Sequence, residues 1–218
     1  HLVLEDLSVD YRSVHVSVTA DVERLGKKPR VKATLKVAPL PCQSALAAIP
    51  SELVPALSGF QLAGTFTTDL HAFVDLENLD EPLDLGGLVG IEGCKVTKAP
   101  EFSSIARLQG TFEQTVETEP GKWLTFYAGA ENPDYVPYAD ISTHLVNSIM
   151  TTEDSGFFKH RGFIYSEFRG ALKENLRRGY FRLGASSISM QMVKNVLLSR
   201  EKTLSRKLQE LFLTWYLE

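Results

Sequence analysis

Apolar residues in this 218-residue chain follow two different periods, and the change between them constrains the fold more than any single residue. Val14, Val16, Val18, Ala20 and Val22 alternate with polar residues, as do Val31, Ala33, Leu35 and Val37, and Gly26-Lys27-Lys28-Pro29 lies between them as a turn. Strand side chains point to opposite faces in succession, so a period of two predicts a hairpin with one apolar face. The alternation resumes with Phe60, Leu62, Gly64, Phe66, Thr68, Leu70, Ala72, Val74 and Leu76, which predicts a long half-buried strand or a bent pair. Further strands are expected around Val89 to Val96 and Phe112 to Thr118. Leu46, Ile49, Leu53 and Leu57 have helical spacing, but Pro50 and Pro55 confine them to short pieces.

Pro120-Gly121 marks the expected junction, and beyond it the period becomes 3.6. Ile141, Leu145 and Ile149 predict one helix, with Asp140 or Ser142 as its cap, and Phe168, Leu172 and Leu176 another, ended by Gly179. Ile188, Met192, Val193, Val196 and Leu197 predict a third, and Leu204, Leu208, Leu211 and Trp215 a fourth. The expected fold is therefore α+β, with a mostly antiparallel β module over residues 1–120 and an all-α module over residues 121–218.

Charge divides the chain in the same way. Residues 1–120 carry 10 Lys and Arg against 17 Asp and Glu, whereas residues 159–207 carry 12 against 3. A basic run of that kind attracts a diphosphate, an anionic membrane surface or nucleic acid, or is simply a solvated face. Nucleic acid is disfavoured, because no strand motif combines aromatic and basic residues. With 44% hydrophobic residues the chain can bury a core, which excludes disorder. The two cysteines, Cys42 and Cys94, have no spacing that suggests a metal site; a disulfide of an extracytoplasmic module and two buried thiols both fit. The chain starts at His1 and has no apolar run of about 18 residues, as expected of a fragment without its signal or anchor.

Three polar clusters lie in the second module. Glu153-Asp154 sits at a helix end before Ser155-Gly156, either as an ordinary acidic pair or with a carboxylate in a cleft, where it could take a proton. Ser186, Ser187 and Ser189 open a helix that also carries Gln191 and Lys194; the N–H groups and dipole there favour an anion, although a serine-rich cap has the same composition. Arg206 and Glu210, four residues apart beside Lys207, could be a surface ion pair contributing under ~1 kcal/mol. On a helical wheel they lie opposite the Leu204/Leu208/Leu211/Trp215 stripe.

Taken in order, Glu153-Asp154-x-x-Phe157-x-x-His160-x-Gly162, then Gly184-Ala185-Ser186-Ser187-Ile188-Ser189-Met190-Gln191 with Lys194-Asn195, then Arg206-Lys207-x-x-Glu210, the clusters resemble the peptidoglycan glycosyltransferases of family 51. These are the transglycosylase domains of class A penicillin-binding proteins and of monofunctional transglycosylases. The resemblance covers about the last hundred residues. It implies a lysozyme-like helical lobe that polymerises lipid II into glycan by inverting displacement of undecaprenyl diphosphate.

By the same resemblance Glu153 is the catalytic base and Glu210 assists the leaving diphosphate. Asp154, His160, Ser186, Ser187, Gln191, Lys194, Lys202, Arg206 and Lys207 would form the substrate site. No protein-bound metal or other cofactor is implied, although Mg2+ or another divalent ion could accompany the diphosphate. The family usually has Gly-Gly-Ser-Thr-Ile-Thr-Gln-Gln: here Ala185, Ser187 and Ser189 keep size or hydroxyl, Met190 removes an amide, and Lys202 stands for an Arg.

Implied partners are lipid II, the growing glycan, the membrane through the lipid and a missing anchor, and cell-wall synthesis proteins through the β module. The implied location is the periplasmic face of the cytoplasmic membrane in the bacterial envelope. The family continues past this point with further motifs, so a lobe truncated at Glu218 is expected to be inactive alone. Residues 62–94 faintly resemble the β-repeats of AsmA-type envelope proteins. A non-catalytic scaffold that binds precursor or partner is the alternative from another class, and a lytic muramidase ranks behind both.

Overall fold

The computed structural model describes residues 1–218 except 27, 80–82, 92, 181–183, 200 and 202. They form two compact units, each built from more than one stretch of chain. The first comprises residues 1–55, 60–98 and 164–185, and the second residues 56–59, 99–163 and 186–218. The segment after Gly121 thus contributes to both.

The first unit is built on a five-stranded antiparallel sheet in the order β1-β2-β3-β5-β6, from β1 (Leu2–Tyr11), β2 (Val14–Glu23), β3 (Arg30–Pro41), β5 (Thr65–Asp75) and β6 (Asp84–Gly90). The expected hairpin is β2 and β3, with Val18 opposite Leu35. The long alternation is a bent pair: β4 (Gln61–Ala63) leaves to pair with β7 (Lys95–Lys98), and β5 stays in the main sheet. Gly64 makes the bend, at φ +101°, with Gly93 so close that a Cβ would lie 1.7 Å from its carbonyl oxygen. The strand expected around Val89 to Val96 is instead two, β6 and β7, in different sheets.

Most of the buried apolar residues of this unit lie at one end of the sheet, with Leu83 before β6 buried at the other. Val37, Leu40, Cys42, Val54 and Phe60 are buried at the first end, with α1 (Cys42–Ala48) over the strand ends. Cys42 and Cys94 form a disulfide, Cα atoms 5.9 Å apart, across 52 residues of chain. On the loop-closure model such a bridge contributes about 4 kcal/mol, by restricting the unfolded chain. Cys42→Ala with Cys94→Ala is therefore expected to lower the thermal midpoint by about 10 °C or more, a shift that reductant should reproduce in the parent chain.

The helix α4 (Tyr165–Arg178) belongs to the first unit, and Gly179 ends it in the left-handed conformation, as expected. Much of the basic run lies on this helix, partly balanced within it. Arg178 Nε donates to Glu174 Oε1 at 2.6 Å, and this bond holds the Glu174 carboxyl below its ordinary range. Arg169 Nη2 donates to the Leu85 carbonyl of β6 at 3.0 Å.

The second unit holds α2 (Ile105–Gln109), the hairpin of β8 (Phe112–Glu119) and β9 (Lys122–Ala128), α3 (Thr143–Glu153), α5 (Ile188–Leu197) and α6 (Leu204–Leu217). Pro120-Gly121 is the hairpin turn, with Gly121 at φ +78° and its N–H on Glu117 Oε1. β-Structure therefore runs on to Ala128, which corrects the expectation that residues 121–218 are all-helical. The lead-in from Lys122 reads Trp-Leu-Thr-Phe-Tyr, a composition that favours a strand.

The helices form where the period predicts, but α3 buries no residue fully and α6 buries a different face. Leu145 and Ile149 of α3 are exposed, and so are Leu204 and Leu208 of α6, Leu204 at 90%. The buried side of α6 carries Gln209, Glu210, Leu213 and Thr214, so the face with Glu210 turns inward rather than to solvent. Hydrogen bonds allow this inversion: Gln209 Oε1 accepts from the Ala56 N–H at 2.8 Å, and Glu210 is paired with two cations.

Candidate active site

The first cluster is a folded loop in which nearly every motif residue has a partner. Asp154 follows α3 and is buried, and His160 Nε2 donates to its carboxylate oxygens at 2.9 and 3.0 Å. The Phe157 ring meets the His160 ring edge to face. Asp154 Oδ2 also accepts the Ile188 N–H at 3.2 Å, so the first cluster supplies the anion at the start of α5. Glu153, the last residue of α3, is exposed, and its Oε2 accepts from Gln191 Nε2 at 3.0 Å.

The second cluster caps its helix. Ser187 is the N-cap: its hydroxyl accepts the Met190 N–H at 3.2 Å and donates to the Gly162 carbonyl at 2.6 Å. Gly162 has φ +74°, and a Cβ there would come within 2.7 Å of Thr214 Cγ2. Gly162→Ala is therefore expected to cost about 1–3 kcal/mol, from strain and crowding together, read as a lower urea midpoint. Met190, Val193 and Leu213 are fully buried apolar groups of α5 and α6. Met190, at 0% exposure, thus occupies an apolar interior where an amide would need partners. Ser189 donates to a Glu218 carboxylate oxygen.

The third cluster is joined to the second by a lysine. Glu210, 1% exposed, accepts from Arg206 Nη1 through Oε2 and from Lys207 Nζ through Oε1 at 2.7 Å. Lys207 Nζ also donates to Ser186 Oγ at 3.2 Å. Thr203 caps α6, accepting the Arg206 N–H at 3.0 Å. Lys194 is half-buried on α5, and Lys202 lies outside the described residues.

Both glutamates are thereby linked to the first turns of α5 and the residues before it, Glu153 through Gln191 and Glu210 through Lys207 and Ser186. The buried members, Asp154, Ser187 and Glu210, hold other groups in place, whereas Glu153 is exposed. The wheel gave no reason to expect Gln209 to reach Ala56, because Gln209 follows no buried periodicity. Among the described residues no cluster of three or more His, Cys, Asp or Glu side chains could hold a metal ion. The donor set here does not fit a protein-held divalent ion, since both Glu210 oxygens are already occupied by cations.

Comparison with known proteins agrees with this geometry in extent. The family described as Transglycosylase matches residues 121–218, the stretch holding all three clusters. Residues 121–218 are similar to the transglycosylase family. The chain is 44% identical over 84 residues to a biosynthetic peptidoglycan transglycosylase of Nitrosospira multiformis, covering 38% of this chain and 36% of that protein. To one from Nitrosomonas eutropha it is 45% identical over 84 residues, 38% of this chain and 34% of the relative. To penicillin-binding protein 1A/1B of Bacillus subtilis it is 36% identical over 123 residues, 56% of this chain but 13% of the relative. The chain thus spans about a third of the length of the biosynthetic transglycosylases it matches. No solved structure matches it. No described helix of the chain is long and apolar enough to cross a membrane.

Proposed function

We propose that residues 121–218 are the part of a peptidoglycan glycosyltransferase that carries its two glutamates, acting on lipid II in the cell envelope at the periplasmic face of the membrane. The observation that supports this reading is that an exposed Glu153 and a buried, cation-paired Glu210 are each linked to the same serine-capped helix start, through Gln191 and through Lys207 and Ser186. Glu153 takes the proton from the acceptor sugar hydroxyl as its oxygen attacks the anomeric carbon. The bond to the diphosphate breaks in the same displacement, its electron pair leaving on the phosphate oxygen, and the anomeric centre inverts.

Lys207 and Arg206, with Lys194 nearby on α5, balance the charge that develops on the leaving group. Glu210 is then a positioning residue: it keeps Arg206 and Lys207 together and directs Lys207 at Ser186. Asp154, His160 and Ser187 position the motif loop and α5, leaving Ser186 and Gln191 to meet substrate. A divalent ion, when bound, would add charge balance and would arrive with the diphosphate. Supporting this reading are the family match over residues 121–218 and the names of the relatives. The finer architecture, a lysozyme-like lobe completed by residues beyond 218 and carried behind a separate β module, is part of the same proposal. It is tested by incubating lipid II with a chain extended to the length of those relatives, and with its Glu153→Gln variant. Polymer from the first alone supports the proposal; polymer from both refutes it.

A further inference from the structure

The sheet of the first unit has two unlike faces. One side is charged and satisfies itself across strands: Lys36 meets Asp69 at 3.0 Å, Glu23 meets Arg30 at 3.5 Å, His71 meets Asp84 at 3.5 Å, and the Thr19 and Thr34 hydroxyls are 2.6 Å apart. The other side is apolar in row after row. The register sets Leu2, Val22, Val31 and Val74 in one row, then Leu4, Ala20, Ala33, Ala72 and Leu85, then Leu7, Val18, Leu35, Leu70 and Gly87.

A bulge in β1 keeps this pattern. The register shifts between Leu4 and Leu7, so the extra residue supplied by Glu5-Asp6 returns Leu7, Val9 and Tyr11 to the same face as Leu2 and Leu4. Without it the strand's second half would turn its apolar side chains to the charged face. The residues are thus organised to keep one face apolar across all five strands, yet that face is open. Leu35 and Leu70, on inner strands, are 37% and 36% exposed, and Leu7 is 45% exposed. The end at Val37 and Leu40, beside α1, is buried, and so is Leu83 just before β6; the rows between are part-exposed.

We propose that this face packs against the same face of a second copy of the chain, forming a two-layer β-sandwich about a two-fold axis. Relief favours an identical partner. The Leu7/Val18/Leu35/Leu70 row is a ridge, and the Ala20/Ala33/Ala72 centre of the next row is a furrow. A two-fold axis lying between these rows, in the plane of the interface, sets each ridge over the other copy's furrow, with the two β3 strands crossing at the axis. Area favours it as well. Five strands spaced by about 4.8 Å and some seven residues of about 3.3 Å each outline roughly 500 Å² per copy. That gives about 1,000 Å² in total, the lower end for a specific association, so the dimer is weak and reversible, with a Kd on the order of micromolar.

Sedimentation velocity of the whole chain from about 1 to about 200 µM tests this, because a dimer of that Kd fills across the range. The expected result is a shift from the 24.2 kDa monomer to twice that mass. Leu35→Lys with Leu70→Lys is expected to stay monomeric throughout. Both side chains are already part-exposed, and an unchanged circular dichroism spectrum and melting curve would show that the fold persists. Lys36→Glu, on the opposite face, is expected to dimerise as the parent does. A parent that stays monomeric at the highest concentration overturns the proposal, as does a dimer that survives the double substitution. So does a monomer whose face instead takes up a fluorescent acyl-chain probe, displaced by Leu35→Lys with Leu70→Lys, which would make a lipid the occupant.

Discussion

Glu153→Gln is expected to slow glycan chain growth from lipid II by about 10²–10⁴-fold, the usual contribution of a positioned general base. The amide keeps the side-chain shape and can still meet Gln191, which now donates to Glu153 Oε2 at 3.0 Å, but it cannot accept the acceptor's proton. Because Glu153 is exposed at the end of α3, the substitution should leave stability within about 0.5 kcal/mol of the parent. The assay needs a chain of the relatives' length, since residues 1–218 span about a third of those transglycosylases. A loss of rate with an unchanged urea midpoint and unchanged lipid II binding is the combined outcome expected. A rate within a few-fold of the parent would remove Glu153 from the chemistry.

Glu210→Gln is expected to behave differently, losing fold stability and activity together. The Glu210 carboxylate is almost fully buried, with Arg206 on one oxygen and Lys207 on the other. Neutralising it removes the carboxylate charge shared by two part-buried cations, a change that costs about 3–5 kcal/mol in comparable buried pairs. The urea midpoint should fall accordingly. The triple change Glu210→Leu, Arg206→Met and Lys207→Met should recover much of that stability, because no uncompensated charge is left behind, while recovering no activity. If the single variant were as stable as the parent, the ion network would be marginal. If the triple variant polymerised lipid II, Lys207 and Arg206 would have no part in holding the leaving group.

The two glutamates stand out in the sequence as candidates, but the environment of the second was not legible there. The helical wheel sends the Leu204/Leu208 stripe to the interior because apolar area usually decides which face is buried. Here Gln209, Glu210 and Thr214 are buried with Leu213, and a wheel cannot foresee that Lys207 and Arg206 satisfy one carboxylate or that Ala56 awaits Gln209. For the same reason Asp154 reads in sequence as the companion of Glu153, whereas in the structure it is the buried partner of His160 and of the α5 start.

The β module was legible wherever strict alternation held, as in β2, β3 and β5. No strand was expected over residues 2–11, because the bulge at Glu5-Asp6 puts Leu4 and Leu7 three apart and breaks the period of two. β9 was missed because Pro120-Gly121 has the composition of both a domain junction and a hairpin turn, and local sequence does not distinguish them. The serine cap, by contrast, follows from composition directly: Ser187 three residues before Met190 is the spacing an N-cap hydroxyl needs.

The most direct measurement follows lipid II binding and undecaprenyl diphosphate release in one titration, with the extended parent chain and its Glu153→Gln variant. Equal binding by both, with release and polymer only from the parent, is the predicted result. Equal release from both would contradict a glycosyl transfer that depends on the carboxylate at the end of α3.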